Sequence, residues 1–217
     1  KDLEIRGAGN VLGAEQSGRN WGWVRQMGRD PAELPLAMQS LALWRGLNER
    51  IGDETGFRQT GITYLCTNAR ETAAYEEWLE HARTYQIDSR LLRPNELQPL
   101  LPGMSSGFVS GLYTSTDGRA EPTKAAPAIA RAAMRAGAHV ITNCAVRGVE
   151  TSTGRVSGVV TEHGSIRCST VVLAGGAYGT PLMLQRSGIG DPSKLRAAGV
   201  TARVALPGVG ANMHDHS

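Results

Sequence analysis

The sequence of 217 residues has few cysteines, few aromatic residues and no long apolar run. The cysteines, Cys66, Cys144 and Cys168, are odd in number and widely spaced, which fits neither a disulfide framework nor a zinc-binding pattern. Because this cysteine usage is typical of a reducing compartment, we expect a cytoplasmic protein. The longest apolar run lies near Val171–Ala177 and is far shorter than the roughly 20 residues of a membrane span, so we expect no membrane association.

Clusters of basic residues are also missing. The 23 Lys and Arg residues stand against 20 Asp and Glu, and the net charge of +3 is spread along the chain, which argues against a nucleic-acid partner. The hydrophobic fraction of 41% is enough for a sizeable core and excludes intrinsic disorder. The sequence begins with Lys1 rather than methionine, so we expect a fragment of a longer protein.

Helix signals are clear in the first 140 residues. Asp30 is a good N-cap before Pro31, and the apolar stripe that follows predicts one helix from Asp30 to about Gly52. Asn68 and Glu71 form a capping box at the start of another helix. The further predicted elements are a strand at Gly61–Cys66, a helix at Asn68–Gln86, a strand at Gly107–Ser115, a helix at Thr123–Ala136 and a strand at His139–Asn143. No long element is expected near Pro94, Pro99 and Pro102.

Short strands dominate the rest of the chain. Turn signals at Thr153-Gly154 and His163-Gly164 separate the strands of an antiparallel β-meander. An apolar run at Thr170–Ala174 predicts a buried parallel strand, and helices are expected at about Pro181–Ser187 and Ser193–Ala198. The strands of the meander are predicted at Val146–Thr151, Arg155–Glu162 and Ser165–Cys168. This pattern favours an α/β fold in which a nucleotide-binding layer accompanies an antiparallel sheet.

Gly7, Gly9 and Gly13 are spaced like a phosphate-binding glycine loop, but their context argues against one. Such a loop needs a buried strand before it and a helix after it, so that the pyrophosphate meets the helix N-terminus. Asp2–Arg6 is too charged for a central parallel strand, and Gln16–Arg19 is a poor helix. We therefore predict a surface strand and turn here rather than a phosphate site.

An ordered series of motifs runs from residue 19 to residue 177. Its members are Arg19-Asn20-Trp21-Gly22-Trp23, Leu41-Ala42-Leu43-Trp44, Thr60-Gly61-Ile62, Gly118-Arg119-Ala120-Glu121-Pro122, the hairpin Gly154–Thr161 and the run Val171–Ala177. In this order they resemble the flavin-dependent D-amino-acid oxidase (DAO) superfamily, which includes glycine and sarcosine oxidases. The resemblance implies FAD as the cofactor and small-molecule amines or amino acids as substrates.

The resemblance also implies which residues bind the cofactor. A segment with Arg19, Asn20, Trp21 and Gly22 would run beside the flavin ring, which two tryptophans can cover. The Val146 backbone would meet the adenine. The glycines of Ala174-Gly175-Gly176, at the end of a buried strand, would let the FAD diphosphate and ribityl approach. The alternative is that Trp21 and Trp23 are core residues and Gly175-Gly176 is an ordinary turn. No catalytic residue and no metal site is assigned.

Two segments depart from this superfamily. Residues 1–18 resemble the transcription-repair coupling factor and its RecG-type helicase relatives through Asp2–Asn10. Residues 172–217 resemble glucose–methanol–choline (GMC) oxidoreductases through Gly179–Gly190 and Leu206–His216. The sequence therefore predicts a mosaic, or chimera, with segments at 1–18, 19–177 and 178–217.

The expected fold is α/β, with an incomplete FAD/NAD(P)-binding-like layer, an antiparallel β-meander and a substrate-domain-like sheet. The expected function is that of a fragment or mosaic of an FAD-dependent oxidoreductase that oxidises amines or amino acids. Because the first βαβ unit of the superfamily is missing, we expect weak or no FAD binding by the isolated chain. One alternative is a GMC-type alcohol oxidoreductase. Another is a non-enzymatic or DNA-associated fragment, which the small net charge argues against.

Overall fold

The computed structural model describes residues 4–6 and 16–214. Contacts divide these residues into two compact units. We term residues 16–138 the central unit, and residues 4–6 together with 139–214 the split unit. In the described part of the chain, none of the helices is both long enough and apolar enough to cross a bilayer.

Both units contain helices and strands. The strands are β1 Glu4–Arg6, β2 Trp23–Val24, β3 Ile62–Cys66, β4 Ser89–Leu92, β5 Ser110–Thr114, β6 Gly118–Arg119, β7 His139–Ile141, β8 Val146–Ser152, β9 Arg155–Thr161, β10 Gly164–Arg167, β11 Ile189–Gly190 and β12 Val204–Ala205. The α-helices are α1 Gln16–Arg19, α2 Leu34–Arg45, α3 Leu47–Ile51, α4 Ala69–Thr84, α5 Pro94–Leu100, α6 Pro122–Arg135, α7 Gly176–Arg186 and α8 Pro192–Ala197, and a 3₁₀ turn spans Pro31–Glu33.

The central unit contains a three-stranded antiparallel sheet in which β5 lies between β3 and β4. Leu112 on β5 is fully buried and pairs with Tyr64 on one side and Leu91 on the other. Helix α4 begins as predicted, because the Asn68 side chain accepts a hydrogen bond of 3.0 Å from the Glu71 N–H. A second sheet pairs β2 with β6, so that Trp23 lies opposite Arg119.

The prediction of one helix from Asp30 to Gly52 is wrong. Asp30 does cap a 3₁₀ turn by accepting a hydrogen bond from Ala32, but α2 ends before Gly46 and α3 starts after it. Glycine has the lowest helix propensity apart from proline, so an apolar stripe that continues across Gly46 does not keep the helix continuous. The proline-containing segment forms the short helix α5, which begins at Pro94. The N–H of a first helical residue has no acceptor within the helix, so proline can occupy this position without loss of a hydrogen bond.

The split unit contains a three-stranded antiparallel sheet in the order β10-β9-β8. Thr153 and Gly154, between β8 and β9, both have positive φ, which is the backbone conformation of a type I′ hairpin turn. Helix α7 is joined to β8 because the Ser187 hydroxyl accepts a hydrogen bond of 2.8 Å from the Val149 N–H. A parallel pair, β11 and β12, follows nearer the C-terminal end of the chain.

The prediction of a buried strand at Thr170–Ala174 is wrong. These residues have no regular secondary structure, and the Val172 side chain is 84% exposed. A parallel strand forms only where a neighbouring strand supplies hydrogen bonds, and none of the described strands pairs with this run. Helix α7 also starts earlier than predicted, at Gly176 rather than Pro181. Its start is stabilised by a hydrogen bond of 3.0 Å from the Gly175 N–H to the Thr180 hydroxyl.

The strand predicted in the glycine-rich N-terminal segment is present, whereas the short helix that follows it was not expected. The short strand β1, Glu4–Arg6, pairs in parallel with β7, and Gln16–Arg19 is a helix of about one turn. Charged side chains do not prevent such pairing, because the ladder is made by backbone groups and, among the described residues, this sheet has two strands. Gly7, Gly9 and Gly13 lie outside the described residues.

Candidate cofactor site

A row of aromatic rings, which we term the aromatic face, lies on the central unit. It consists of Trp21, Trp23, Tyr64 and Tyr75. Successive ring centroids are 5.0, 5.6 and 6.0 Å apart. Trp21 is 78% exposed and Trp23 43% exposed, so the alternative that both are core residues is wrong. Exposed apolar surface in a row of this kind is a candidate binding surface.

Arg25 adds a positive charge to the aromatic face. The carbon of its guanidinium group lies 5.9 Å from the ring centroid of Trp23 and 5.5 Å from that of Tyr64, which are cation–π distances. The same group donates a hydrogen bond to the carbonyl oxygen of Met27. Burial raises the pKa of the Tyr64 hydroxyl, which Arg25 lowers to a smaller extent, so this tyrosine is neutral at pH 7. The face therefore offers flat rings together with a cation.

The residues before β2 are held by local hydrogen bonds. The Asn20 side chain accepts from the Gly22 N–H at 2.8 Å and donates to the Ser17 carbonyl oxygen at 2.9 Å. Gly22 is buried at φ +73°, and a Cβ placed there would lie 2.2 Å from the Ala120 carbonyl oxygen. Packing against Ala120 is thus sufficient to require a glycine. Arg19, at the end of α1, is exposed.

The remaining predicted site residues belong to the split unit. Val146 is the first residue of β8, is partly buried and pairs with Thr161. Ala174, Gly175 and Gly176 are exposed and lead into α7. A Cβ on Gly176, which has φ +78°, would meet no atom within 4 Å, so the backbone here is open to a ligand.

A buried carboxyl group lies beside the segment that carries Arg25. Asp117 is fully buried, and it accepts hydrogen bonds from the Gln26 N–H at 2.9 Å and the Met27 N–H at 3.1 Å. Burial raises the pKa of Asp117 to about 6, although the two backbone hydrogen bonds act in the opposite direction. Its neighbour Thr116 hydrogen-bonds to the Gln26 side chain at 2.9 Å.

Sequence reasoning missed several residues of this arrangement, namely Arg25, Tyr64, Tyr75 and Asp117. Arg25 lies only two residues beyond the motif that includes Trp23, so a wider reading of that motif would have included it. Asp117 and Gln26 are 91 positions apart, and no local sequence pattern predicts a contact between residues so far apart. Among the residues that the structure describes, no group of three or more His, Cys, Asp or Glu side chains is placed to hold a metal ion.

Each unit, taken by itself, has one feature that suits part of a dinucleotide cofactor. The aromatic face supplies exposed rings on which a planar heterocycle can stack. In the split unit, Gly176 leaves the backbone open for close approach by a bulky group. Residues 7–212 match the family described as FAD dependent oxidoreductase, DAO. The chain belongs to this family.

Individual relatives of this DAO family member span more than one kind of enzyme. The chain is 34% identical over 172 residues to the mitochondrial sarcosine dehydrogenase of Mus musculus. This alignment covers 75% of this chain and 19% of that protein. The L-amino acid deaminase of Proteus myxofaciens, solved in complex with anthranilate, has a TM-score of 0.78 at 33% identity over 85% of this chain and 42% of that one. The alcohol oxidase of Candida boidinii is 61% identical over 46 residues, which are 21% of this chain and 7% of that protein.

The DAO chain therefore spans less than half the length of each of these relatives. Its match to the family begins at residue 7, inside the segment for which the sequence suggests a helicase. The comparisons give that suggestion no support, whereas the 46-residue match to alcohol oxidase agrees with the GMC resemblance in part.

Proposed function

We propose that this chain is part of an FAD-dependent oxidoreductase that oxidises amines or amino acids. The exposed aromatic face with Arg25 is the observation that carries the proposal, because a row of rings beside a cation suits a planar, electron-poor ring system and an anionic substrate group. The relatives named sarcosine dehydrogenase and L-amino acid deaminase support the substrate class.

Within this proposal, the residues of the central unit receive the flavin ring. Trp21 covers one surface of the ring with Trp23 inclined at 68° beside it, while Asn20 holds this segment through its hydrogen bond to the Gly22 N–H. Arg19 and Gly22 belong to the same segment. Stacking on exposed indole rings contributes about 1–3 kcal/mol for a planar heterocycle.

The family resemblance assigns further cofactor contacts to residues of the split unit. The backbone of Val146 meets the adenine at the start of β8, and Ala174, Gly175 and Gly176 pass beside the diphosphate and ribityl. Gly176 suits this role because its positive φ and open surroundings let a ligand approach the backbone.

The chemistry is divided between cofactor and protein. Bound FAD supplies the acceptor for the electrons removed from the substrate. The side chains of this chain orient the substrate and enclose the flavin ring. The indoles exclude water from one surface of the ring, and the Arg25 guanidinium presents a positive charge to a substrate carboxylate. We assign no general base to the described residues.

Affinity for FAD is expected to be weak in the isolated chain. Residues 170–174 form no strand and pair with none of the described strands, and Val172 is 84% exposed, so no sheet supports the turn at Gly175 and Gly176 from this side. A glycine turn at the end of a buried strand is held in place for a diphosphate, and that support is missing here. We expect a Kd on the order of 0.1 mM or weaker.

Replacing Trp21 with alanine tests the role of the aromatic face. The side chain is 78% exposed, so its removal leaves the fold intact, whereas loss of stacking weakens FAD binding about tenfold. ADP shares the adenine and diphosphate but lacks the flavin ring, and its affinity should not change. Isothermal titration calorimetry of the 217-residue chain measures both ligands.

Trp44→Phe is the matched control, because Trp44 stacks on Phe57 within a core cluster and is not part of the aromatic face. This variant should bind FAD like the unmodified chain. Equal FAD affinities for Trp21→Ala and Trp44→Phe would show that the aromatic face does not bind the cofactor.

A GMC-type alcohol oxidoreductase is the second candidate function. It is favoured by the 61% identity over 46 residues to the alcohol oxidase of Candida boidinii. The candidates differ in the substrate that bleaches the visible absorbance of FAD when air is excluded. The first predicts bleaching by sarcosine or an L-amino acid, and the second predicts bleaching by methanol or another primary alcohol.

A further inference from the structure

The segment that follows β2 is joined to a carboxylate from a distant part of the chain. Asp117 Oδ1 accepts from the Gln26 N–H and Oδ2 accepts from the Met27 N–H, so each oxygen holds one of two successive backbone groups. The side chain is fully buried. A buried charge is tolerated only where hydrogen bonds replace its hydration, and these two bonds replace part of it.

We propose that Asp117 is a positioning residue for the aromatic face, because its carboxylate holds the Gln26–Met27 backbone and thereby keeps Arg25 over the rings of Trp23 and Tyr64. The Arg25 guanidinium depends on this backbone directly, since it donates a hydrogen bond to the Met27 carbonyl oxygen. The inference rests on the proposed function only for the role given to the aromatic face.

Ionisation of Asp117 decides how well it can hold the segment. A carboxylate is an acceptor at both oxygens, whereas a protonated acid carries a donor on one of them. Protonation therefore weakens one of the two backbone hydrogen bonds. An asparagine at this position has the same shape, but its NH₂ group cannot accept a hydrogen bond, so it mimics this loss at every pH.

The surroundings of Asp117 shift its protonation into a pH range that can be studied in solution. Burial is the main reason that the pKa of Asp117 rises to about 6, and the negative charge of Asp88 raises it further. The backbone hydrogen bonds and the positive charge of Arg25 lower it. The negative charge of Asp117 also acts on Tyr64. Together with burial, it raises the pKa of the Tyr64 hydroxyl.

Nuclear magnetic resonance of the ¹⁵N-labelled full chain tests the proposal without any flavin, so the outcome does not depend on whether the chain binds FAD. The signals to follow between pH 4.5 and pH 8 are the amides of Gln26 and Met27, the Arg25 Nε–H and the Trp23 indole N–H. We expect all of them to shift together with a midpoint near pH 6, because one ionisation moves the whole segment.

Two variants separate this role from its alternatives. Asp117→Asn should abolish the common transition and hold the Arg25 and Trp23 signals near their low-pH positions. Asp88→Asn is the matched control: Asp88 accepts hydrogen bonds from Ser115 and Thr116, and its removal should keep the transition but move the midpoint to lower pH.

A transition at Gln26 and Met27 that does not reach Arg25 and Trp23 would overturn the proposal, because Asp117 would then hold only the backbone. Absence of any common transition between pH 4.5 and pH 8 in the unmodified chain would overturn it as well. The titration of the unmodified chain decides the question even where Asp117→Asn does not fold.

Discussion

Replacing Gly22 with alanine is expected to destabilise the central unit by about 3 kcal/mol or more. Two costs combine at this position. The backbone has φ +73°, where an L side chain is strained by about 1–2 kcal/mol, and the new Cβ would lie 2.2 Å from the Ala120 carbonyl oxygen. That oxygen belongs to the backbone and cannot rotate away, and the Ala120 N–H is itself hydrogen-bonded to the Gly22 carbonyl oxygen at 2.8 Å.

Gly52→Ala separates the two costs. Gly52 also lies in the central unit and has φ +59°, but a Cβ there would meet no atom within 4 Å. We expect this control to lose only about 1–2 kcal/mol, the cost of the left-handed backbone alone. Denaturant unfolding followed by tryptophan fluorescence measures both variants. Similar losses for Gly22→Ala and Gly52→Ala would show that the close approach to Ala120 is wrong.

Asp117 is expected to make the central unit less stable as the pH rises from 4 to 7. Its pKa is about 6 in the folded chain and 3.8 as the reference value, so the folded chain holds this proton over a range in which the unfolded chain has released it. The stabilising contribution is complete below pH 4 and is lost as the pH rises through 6. The loss amounts to about 2 kcal/mol between pH 4 and pH 7.

Comparison with Asp117→Asn isolates this contribution, because every other ionisable group is common to the two proteins. The free energy of unfolding of the unmodified chain, minus that of the variant, should fall by about 2 kcal/mol from pH 4 to pH 7. Urea denaturation at each pH provides the values. A difference that stays constant or grows with pH would mean that Asp117 is not a buried acid with a raised pKa.

Local signals in the sequence were sufficient for the elements that depend on nearby residues. The Asn68 cap marks the start of α4 because its partner, the Glu71 N–H, is three residues away. Thr153-Gly154 marks a tight turn because positive φ is needed at both positions. Gly46, in contrast, interrupts a helix that the apolar stripe predicted to be continuous.

Elements that depend on distant partners could not be predicted in the same way. The composition of Thr170–Ala174 suits a buried strand, but a strand exists only where another strand pairs with it. The candidate site shows the same limit. Trp21 and Trp23 were found through a motif, whereas Tyr64 and Asp117 join the site from positions about 40 and 90 residues further along the chain.

Hydrogen exchange measured by mass spectrometry, with and without millimolar FAD, tests the central claim most directly. The 217-residue chain is used unmodified, and both regions proposed to meet the cofactor are followed at once. We predict slower exchange of backbone amides in residues 19–25 and 172–180, with no change in β5 at the centre of the sheet. Unchanged exchange in both regions at saturating FAD, or protection confined to other parts of the chain, would contradict the account.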